Sequence, residues 1–351
     1  MLYSYQYINH DMEKMQEYID YIFYKVWCNA PSMEYDISLF DHHPSLKEII
    51  EGIYHTEPKG AEFFIKGIQE IFIIFKTLSS SEIYQLKVWY QSNNDIKNLC
   101  LNDPALTPST YSNIKLMNEA LGVALKVFFT GLYSHDFLTL KAIADKIGEI
   151  GDHYTEFVKK NLKRKCPYCG LLPIDGQYVR TREAYDHYLP KSKYPFATIN
   201  FKNLAPICGK CNSSGNKGAK DPLHGKDGKR RKAFYSYSAN PYNLEISMNL
   251  NTNDIRNLTP QDITLTFGPA SLEEELETWN ELFNIEKRYK AECCEDNAWY
   301  WMTQIFEECA DKTPSEFLEI RLESAGKYPL NETNFLRKPF LEACKALQIF
   351  T

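Results

Sequence analysis

The chain has 351 residues, 44% of them hydrophobic and 25% charged, with a formal net charge of −6. At roughly 150 residues per domain this length suits two domains, or one core with large extensions, and it can bury enough apolar surface to fold without disulfides or metal. A small disulfide scaffold, a collagen-like repeat and a wholly disordered chain are excluded. In chain order, Met12, Met15, Tyr18, Ile19, Ile22 and Phe23 recur at spacings of three and four and predict a helix over residues 12–28. Residues 45–53, 61–78, 81–90, 112–133 and 138–162 follow the same pattern, with breaks at Thr56-Glu57-Pro58, Ser92-Asn93-Asn94-Asp95 and Asn102-Asp103-Pro104. The apolar run Ile71-Phe72-Ile73-Ile74-Phe75 falls far short of the roughly 20 residues that span a bilayer. His10, Asp11 and Glu13 stand where an export signal needs its apolar stretch. The expectation is a soluble, cytoplasmic protein with no membrane partner.

The texture changes at Lys163. From there to Lys232 the chain is rich in Gly, Pro, Asn, Lys and Cys, with a short strand predicted over residues 176–180 and an exposed basic loop over 225–232. Strands are expected at 243–248 and 262–267, then amphipathic helix over 271–310, interrupted near Phe283-Asn284. Thr313-Pro314-Ser315-Glu316 reads as a helix start, with Pro just inside and Glu supporting the dipole. The fold class is therefore α+β. Its expected organisation is a helical region over 1–162, a compact metal-bearing core over 163–232 and a mostly helical region over 233–351.

Charge is distributed unevenly. Residues 156–234 hold 18 Lys and Arg against 6 Asp and Glu, a local net of +12, which leaves 22 basic and 40 acidic residues, net −18, elsewhere. A phosphate polymer is attracted to the first and repelled by the second. The ten cysteines are also ordered: Cys166-Pro-Tyr-Cys169 and Cys208-Gly-Lys-Cys211 form two CxxC pairs. Cys28, Cys100, Cys293, Cys294, Cys309 and Cys344 lie in partly apolar helical stretches, where a free thiol is commonly a small buried hydrophobe. Four thiolates close a tetrahedral structural zinc site, and in a reducing compartment two CxxC pairs in loops read as metal ligands before redox centres. The stretch between them, residues 170–207, exceeds the roughly 15–20 residues of a simple zinc ribbon, so it has room for a further element.

That stretch contains Tyr185-Asp186-His187-Tyr188 and Asn203-Leu204-Ala205-Pro206-Ile207-Cys208, and Asn212 follows the last cysteine directly. Taken singly, Asp186-His187 is a weak signal, Asn203 a turn residue and Asn212 a helix cap. In this order the set resembles the HNH, or ββα-metal, endonucleases, in the zinc-knuckle subtype of phage endonuclease VII. The resemblance covers residues 166–220. It implies a ββα-metal core in which His187 is the general base, Asp186 and Asn212 ligate a catalytic Mg2+ or Mn2+, and Asn203 braces the intervening loop. Imidazole suits a base at neutral pH, and two protein oxygens completed by phosphate and water suit magnesium. The chain departs from the commonest pattern in having Asn212 where many members have His, and Asn216, one turn on, is an alternative ligand.

Arg182, Lys191, Lys193, Lys202, Lys210 and Lys217 surround the motif as expected phosphate contacts, which position a duplex without reading its sequence. Lys229-Arg230-Arg231-Lys232 is a second basic run, able to grip a backbone or simply to be solvated. The expected activity is metal-dependent hydrolysis of DNA, double-stranded by preference, leaving 5′-phosphate and 3′-hydroxyl as the family resemblance implies. The rival reading is a non-catalytic zinc module that binds nucleic acid or protein. The architecture also resembles the HNH subunit of Septu-type anti-phage systems, which implies an ATPase partner; no GxxxxGK[ST] loop occurs in this chain. The acidic helical arms are then candidate surfaces for that partner or for self-association.

Overall fold

The structure is a computed structural model that describes all residues but 57, 59, 295, 310 and 351. Glu57 in the predicted break and Ala310 at the end of a predicted helix lie outside the described residues. The fold is α+β, mostly helical, with two small antiparallel sheets. None of the described helices is long and apolar enough to cross a membrane.

The N-terminal half is helical, as its periodicity predicts, but more finely divided. Helix α1 (Lys14–Tyr21) runs into a π turn over Ile22–Val26 and a 3-10 turn over Trp27–Ser32. Next come α2 (Pro44–Thr56), α3 (Glu62–Phe75), α4 (Ser80–Asn94) and the short α5 (Ile96–Cys100). Ser79 starts α4 with a capping box, its hydroxyl and backbone N–H both engaged with Glu82. The helix predicted over 112–133 is two, α6 (Tyr111–Met117) and α7 (Glu119–Leu132), because the Asn118 side chain caps the second by accepting from Leu121 N–H at 2.9 Å. The short α8 (His135–Leu138) ends where the next predicted helix, 138–162, begins, and that one is two, α9 (Lys141–Ile147) and α10 (Ile150–Lys160), divided at Gly148, whose φ is 74°. Helices α3 and α7 pack closely: a Cβ at Gly131 would sit 2.6 Å from the Phe63 ring.

Beyond the helices lies the hairpin of β1 (Ala184–His187) and β2 (Leu204–Ile207), paired in the register Asp186↔Ala205 and His187↔Leu204, followed by the single turn α11 (Gly209–Asn212). A second hairpin, β3 (Glu245–Leu250) with β4 (Ile263–Gly268), is covered by α12 (Glu273–Phe283), α13 (Ile285–Glu292) and α16 (Asn334–Ala346), with α14 (Asp296–Glu307) and α15 (Pro314–Lys327) between them in sequence. Asn284, left-handed at φ 52°, makes the expected interruption between α12 and α13. Thr313 caps α15 in a capping box with Glu316. The strand predicted at 176–180 is instead a turn closed by Val179 N–H on Gly176 O at 3.0 Å, with Tyr178 exposed to solvent.

Two apolar cores meet at the first hairpin. Tyr185, Leu204 and Ala205 belong to the core of the N-terminal helices, whereas Ile207, Cys208, Tyr188 and Leu189 belong to the core shared with Trp279, Phe283 and Tyr289. The loop between β1 and β2 is pinned into the helical side. Phe196 takes φ 77° there, a conformation strained for a bulky residue, and its fully buried ring lies 5.1–5.6 Å from those of Phe23, Tyr90 and Phe129. Asn93, also fully buried, donates to Ser109 O and Pro195 O and accepts from Ser109 N–H, all within 3.0 Å.

Two expectations follow. Phe196→Ala removes this plug and should cost about 3–5 kcal/mol in denaturant unfolding, with little change in zinc content. His153 on α10 is buried against Tyr185 (Nδ1 to hydroxyl, 2.6 Å), and burial pushes its pKa down to about 3, the nearby His10 adding to the shift. The folded state then binds fewer protons than the unfolded state between about pH 3 and 6.5. The stabilisation is complete above about pH 6.5 and is lost as pH falls towards 3, by up to ~1.4 kcal/mol per pH unit. Urea midpoints measured from pH 7 to 4 should decline, and His153→Gln should flatten the decline.

Candidate functional site

The four CxxC cysteines are buried, and their sulfurs all lie within 4.8 Å of one another. Cys169 and Cys208 Sγ are 3.9 Å apart, against about 3.8 Å between two corners of a ZnS4 tetrahedron with Zn–S near 2.3 Å. The cluster could hold a metal ion such as zinc. Local turns build it. Gly170, at φ 68°, lets its N–H return to Cys166 O at 2.7 Å and closes the first knuckle; Cys208 begins α11, where Asn212 N–H returns to its carbonyl at 3.1 Å and carries Cys211 inward. The C-terminal helices hold the knuckle. Trp279 Nε1 donates to Tyr168 O at 2.6 Å, the Tyr289 hydroxyl to Cys169 O at 2.9 Å, and Arg288 Nη1 to Cys211 Sγ at 3.1 Å. Hydrogen bonds from Cys166, Cys208 and Cys211, with the Arg288 charge beside them, hold the Cys169 thiol far below the usual range. Cys169 is thus favoured as the thiolate, the form in which a cysteine ligates metal, whereas burial raises the Cys166 thiol. None of the three C-terminal residues was singled out from sequence; nothing in their local pattern separates them from ordinary helical core and surface.

Above the knuckle, Asp186 and His187 are neighbours on β1, so their side chains leave opposite faces. His187 Nε2 lies 2.9 Å from Thr198 O. A carbonyl only accepts, so Nε2 carries the proton and the neutral ring keeps its lone pair on Nδ1, which has no hydrogen-bond partner among the described residues. Tyr133, at the end of α7, presents an edge to the ring at 4.6 Å between centroids. Burial pushes the His187 pKa down to about 3, helped by the charge of Lys191 and opposed by the Thr198 carbonyl, so the imidazole is neutral at physiological pH. Tyr133 and Thr198 escape sequence reasoning, because one lies on a distant helix and the other acts through its backbone.

Asp186 is 4% exposed, and the Lys217 ammonium, completely buried, lies 3.0 Å from its Oδ1 and 2.9 Å from its Oδ2. Lys217 also donates to His187 O at 2.8 Å. Burial raises the Asp186 carboxyl pKa and the Lys217 charge opposes the rise. Lys217, expected at the surface as a phosphate contact, is an interior counter-ion in this structure. Asn203 is buried and clamps the β1–β2 loop: Oδ1 accepts from Leu189 N–H at 2.7 Å, and Nδ2 donates to Leu189 O and Ala197 O at 3.1 Å. The half-buried Asn212 side chain has no hydrogen-bond partner among the described residues. Asn216 is engaged at both ends, donating to Lys210 O at 2.7 Å and accepting from Asn284 at 3.1 Å. Of the two asparagines, Asn212 has the open amide.

The basic patch divides similarly. Arg182, Lys202 and Lys210 are exposed. Lys191 is half-buried over the Tyr133 ring, and Lys193 pairs with Asp221, which also binds Tyr194 and His224. In the 225–232 run only residues 226–229 are exposed. Arg230 donates to Asp103 O and Leu106 O, and Arg231 to Glu281 and Asp221 O, so half of the expected external grip is internal bracing.

The chain is 40% identical over 58 residues to the Septu protein PtuB of Bacillus thuringiensis, a match covering 16% of this chain and 20% of that relative. The similarity therefore reaches only a fifth of the relative's length. No family model and no solved structure matches the chain.

Metal analysis of purified protein should give one zinc per chain. Cys211→Ser should lose it and lower the thermal midpoint by several degrees, consistent with a metal whose binding is folding free energy.

Proposed function

We propose that this chain is a metal-dependent endonuclease of the HNH type that hydrolyses DNA phosphodiester bonds. The observation carrying the reading is His187: its Nε2 proton is fixed on the Thr198 carbonyl, its Nδ1 lone pair is open, and it lies beside Asp186 on a hairpin above a four-sulfur knuckle. In this reading zinc occupies the knuckle and is structural, since four protein ligands leave no open position.

His187 Nδ1 takes a proton from water, and the Thr198 carbonyl stabilises the imidazolium that forms. A ring already neutral at pH 7 needs no deprotonation before it acts. Asp186 and Asn212 would hold Mg2+ or Mn2+ through side-chain oxygens, and the cation would supply charge for the phosphorane and the departing 3′ oxygen. Asn203 maintains the loop that carries Thr198. Arg182, Lys202 and Lys210 hold phosphates, and double-stranded DNA is the favoured substrate. The region over 163–232 is then the nuclease core, and 1–162 and 233–351 are helical arms for an ATPase partner or a second copy. The partial similarity to a Septu protein supports an effector role in anti-phage defence in the cytoplasm.

One observation favours the rival, a non-catalytic zinc module binding nucleic acid or protein: the Asp186 carboxylate already has a counter-ion. Plasmid cleavage separates the two. Supercoiled DNA with Mg2+ or Mn2+ should be nicked, EDTA should stop it, and His187→Ala should lower the rate about 10²–10⁴-fold while zinc content and DNA retention stay unchanged. Retention without cleavage by the wild type, alone and with its ATPase, would leave the non-catalytic module.

A further inference from the structure

The buried ammonium of Lys217 lies where a cation ligated by Asp186 has to approach. Both carboxylate oxygens are within 3.0 Å of Nζ, and a third contact runs to His187 O at 2.8 Å. Lys217 itself is 0% exposed. The chain holds it there: its backbone N–H is bonded to Cys211 O at 3.1 Å, and Gly218 follows at φ 44°, where a Cβ would meet Ser214 Cα at 2.9 Å. The contact is therefore tied to the knuckle and is not a surface lysine folded over. A cation and an ammonium a few ångströms apart in a site of low polarisability repel by several kcal/mol at an effective dielectric of about 20. One carboxylate cannot satisfy both without leaving one of them uncompensated.

We infer that Lys217 is the resident counter-ion of Asp186 and that a divalent cation gains the carboxylate only by displacing it, so that the metal site is held closed by a lysine of its own chain. This rests on Asp186 being a metal ligand, as proposed above. Lys217 is a positioning residue: it acts through Asp186, holding that carboxylate in place and neutral in sum until exchange occurs. Displaced from Asp186, the ammonium needs another anion, and a substrate phosphate is one of suitable charge. Metal and DNA should therefore bind better together than either does alone.

The test uses Mn2+ alone, titrated into zinc-loaded protein and followed by its EPR signal, with no cleavage assay involved. Lys217→Met, close in length and uncharged, should bind Mn2+ at least about tenfold more tightly than wild type, since a like charge has been removed. Lys217→Arg should stay near wild type, and Asp186→Asn should lose the site. A merely structural lysine would give no gain in affinity. If Asp186→Asn abolishes Mn2+ binding but Lys217→Met binds no tighter than wild type, this inference fails and the nuclease reading stands. If Asp186→Asn leaves Mn2+ binding intact, both fail. Should Lys217→Met not fold, amine labelling of wild-type protein read by mass spectrometry takes its place. Lys217 should be protected without Mn2+ and labelled several-fold faster with it. Unchanged protection at saturating Mn2+ would overturn the exchange.

Discussion

Phe196 is completely buried among Phe23, Tyr90 and Phe129 while its backbone stays at φ 77°. A strained residue persists only where its surroundings over-determine it, and here an aromatic ring in a close-packed core does so. Two residues on, the Thr198 carbonyl fixes the tautomer of His187. The helical N-terminal half thus helps set the orientation of the imidazole by holding the loop that carries the Thr198 carbonyl. Asn203 and Asn93 close the same loop with hydrogen bonds that are costly to break once buried.

From the other side the C-terminal helices grip the knuckle through Trp279, Arg288 and Tyr289. The β1–β2 hairpin therefore lies between two cores, and each supplies what the other cannot. One orients His187; the other holds the four sulfurs and, through the turn after Cys211, Lys217. The acidic arms and the basic middle of the sequence are interlocked in three dimensions. Arg230 reaches back to carbonyls at residues 103 and 106, and Arg231 forward to Glu281. Part of the +12 excess is internal cement, leaving a smaller basic surface for a polyanion.

Much was legible beforehand. The four cysteines that cluster were identifiable by spacing alone, since a CxxC turn brings two sulfurs together without reference to the rest of the fold. Helices in the N-terminal half followed from apolar periodicity, and the interruption at Asn284 and the helix start at Thr313 from local pattern. Misses arose where locality ended. The piece at 176–180 has strand-like residues but no partner strand, and a strand without one is only an exposed turn. Two predicted helices were longer than the real ones because Asn118 and Gly148 interrupt an unbroken apolar rhythm.

The sequence by itself determined which residue types are available and the short-range geometry that groups them: the paired CxxC turns, Asp186 beside His187, and Asn212 directly after Cys211. Only the tertiary structure decided what each polar group is free to do. It engaged Asn216 and left Asn212 open, turned Lys217 from an expected phosphate contact into the counter-ion of Asp186, and brought Tyr133 and the Thr198 carbonyl to His187. The physical reason is that a charge or hydrogen-bonding group removed from water must find its partner in space. Thr198 lies 11 residues from His187, Lys217 31 from Asp186 and Asn284 68 from Asn216, beyond anything that spacing can encode.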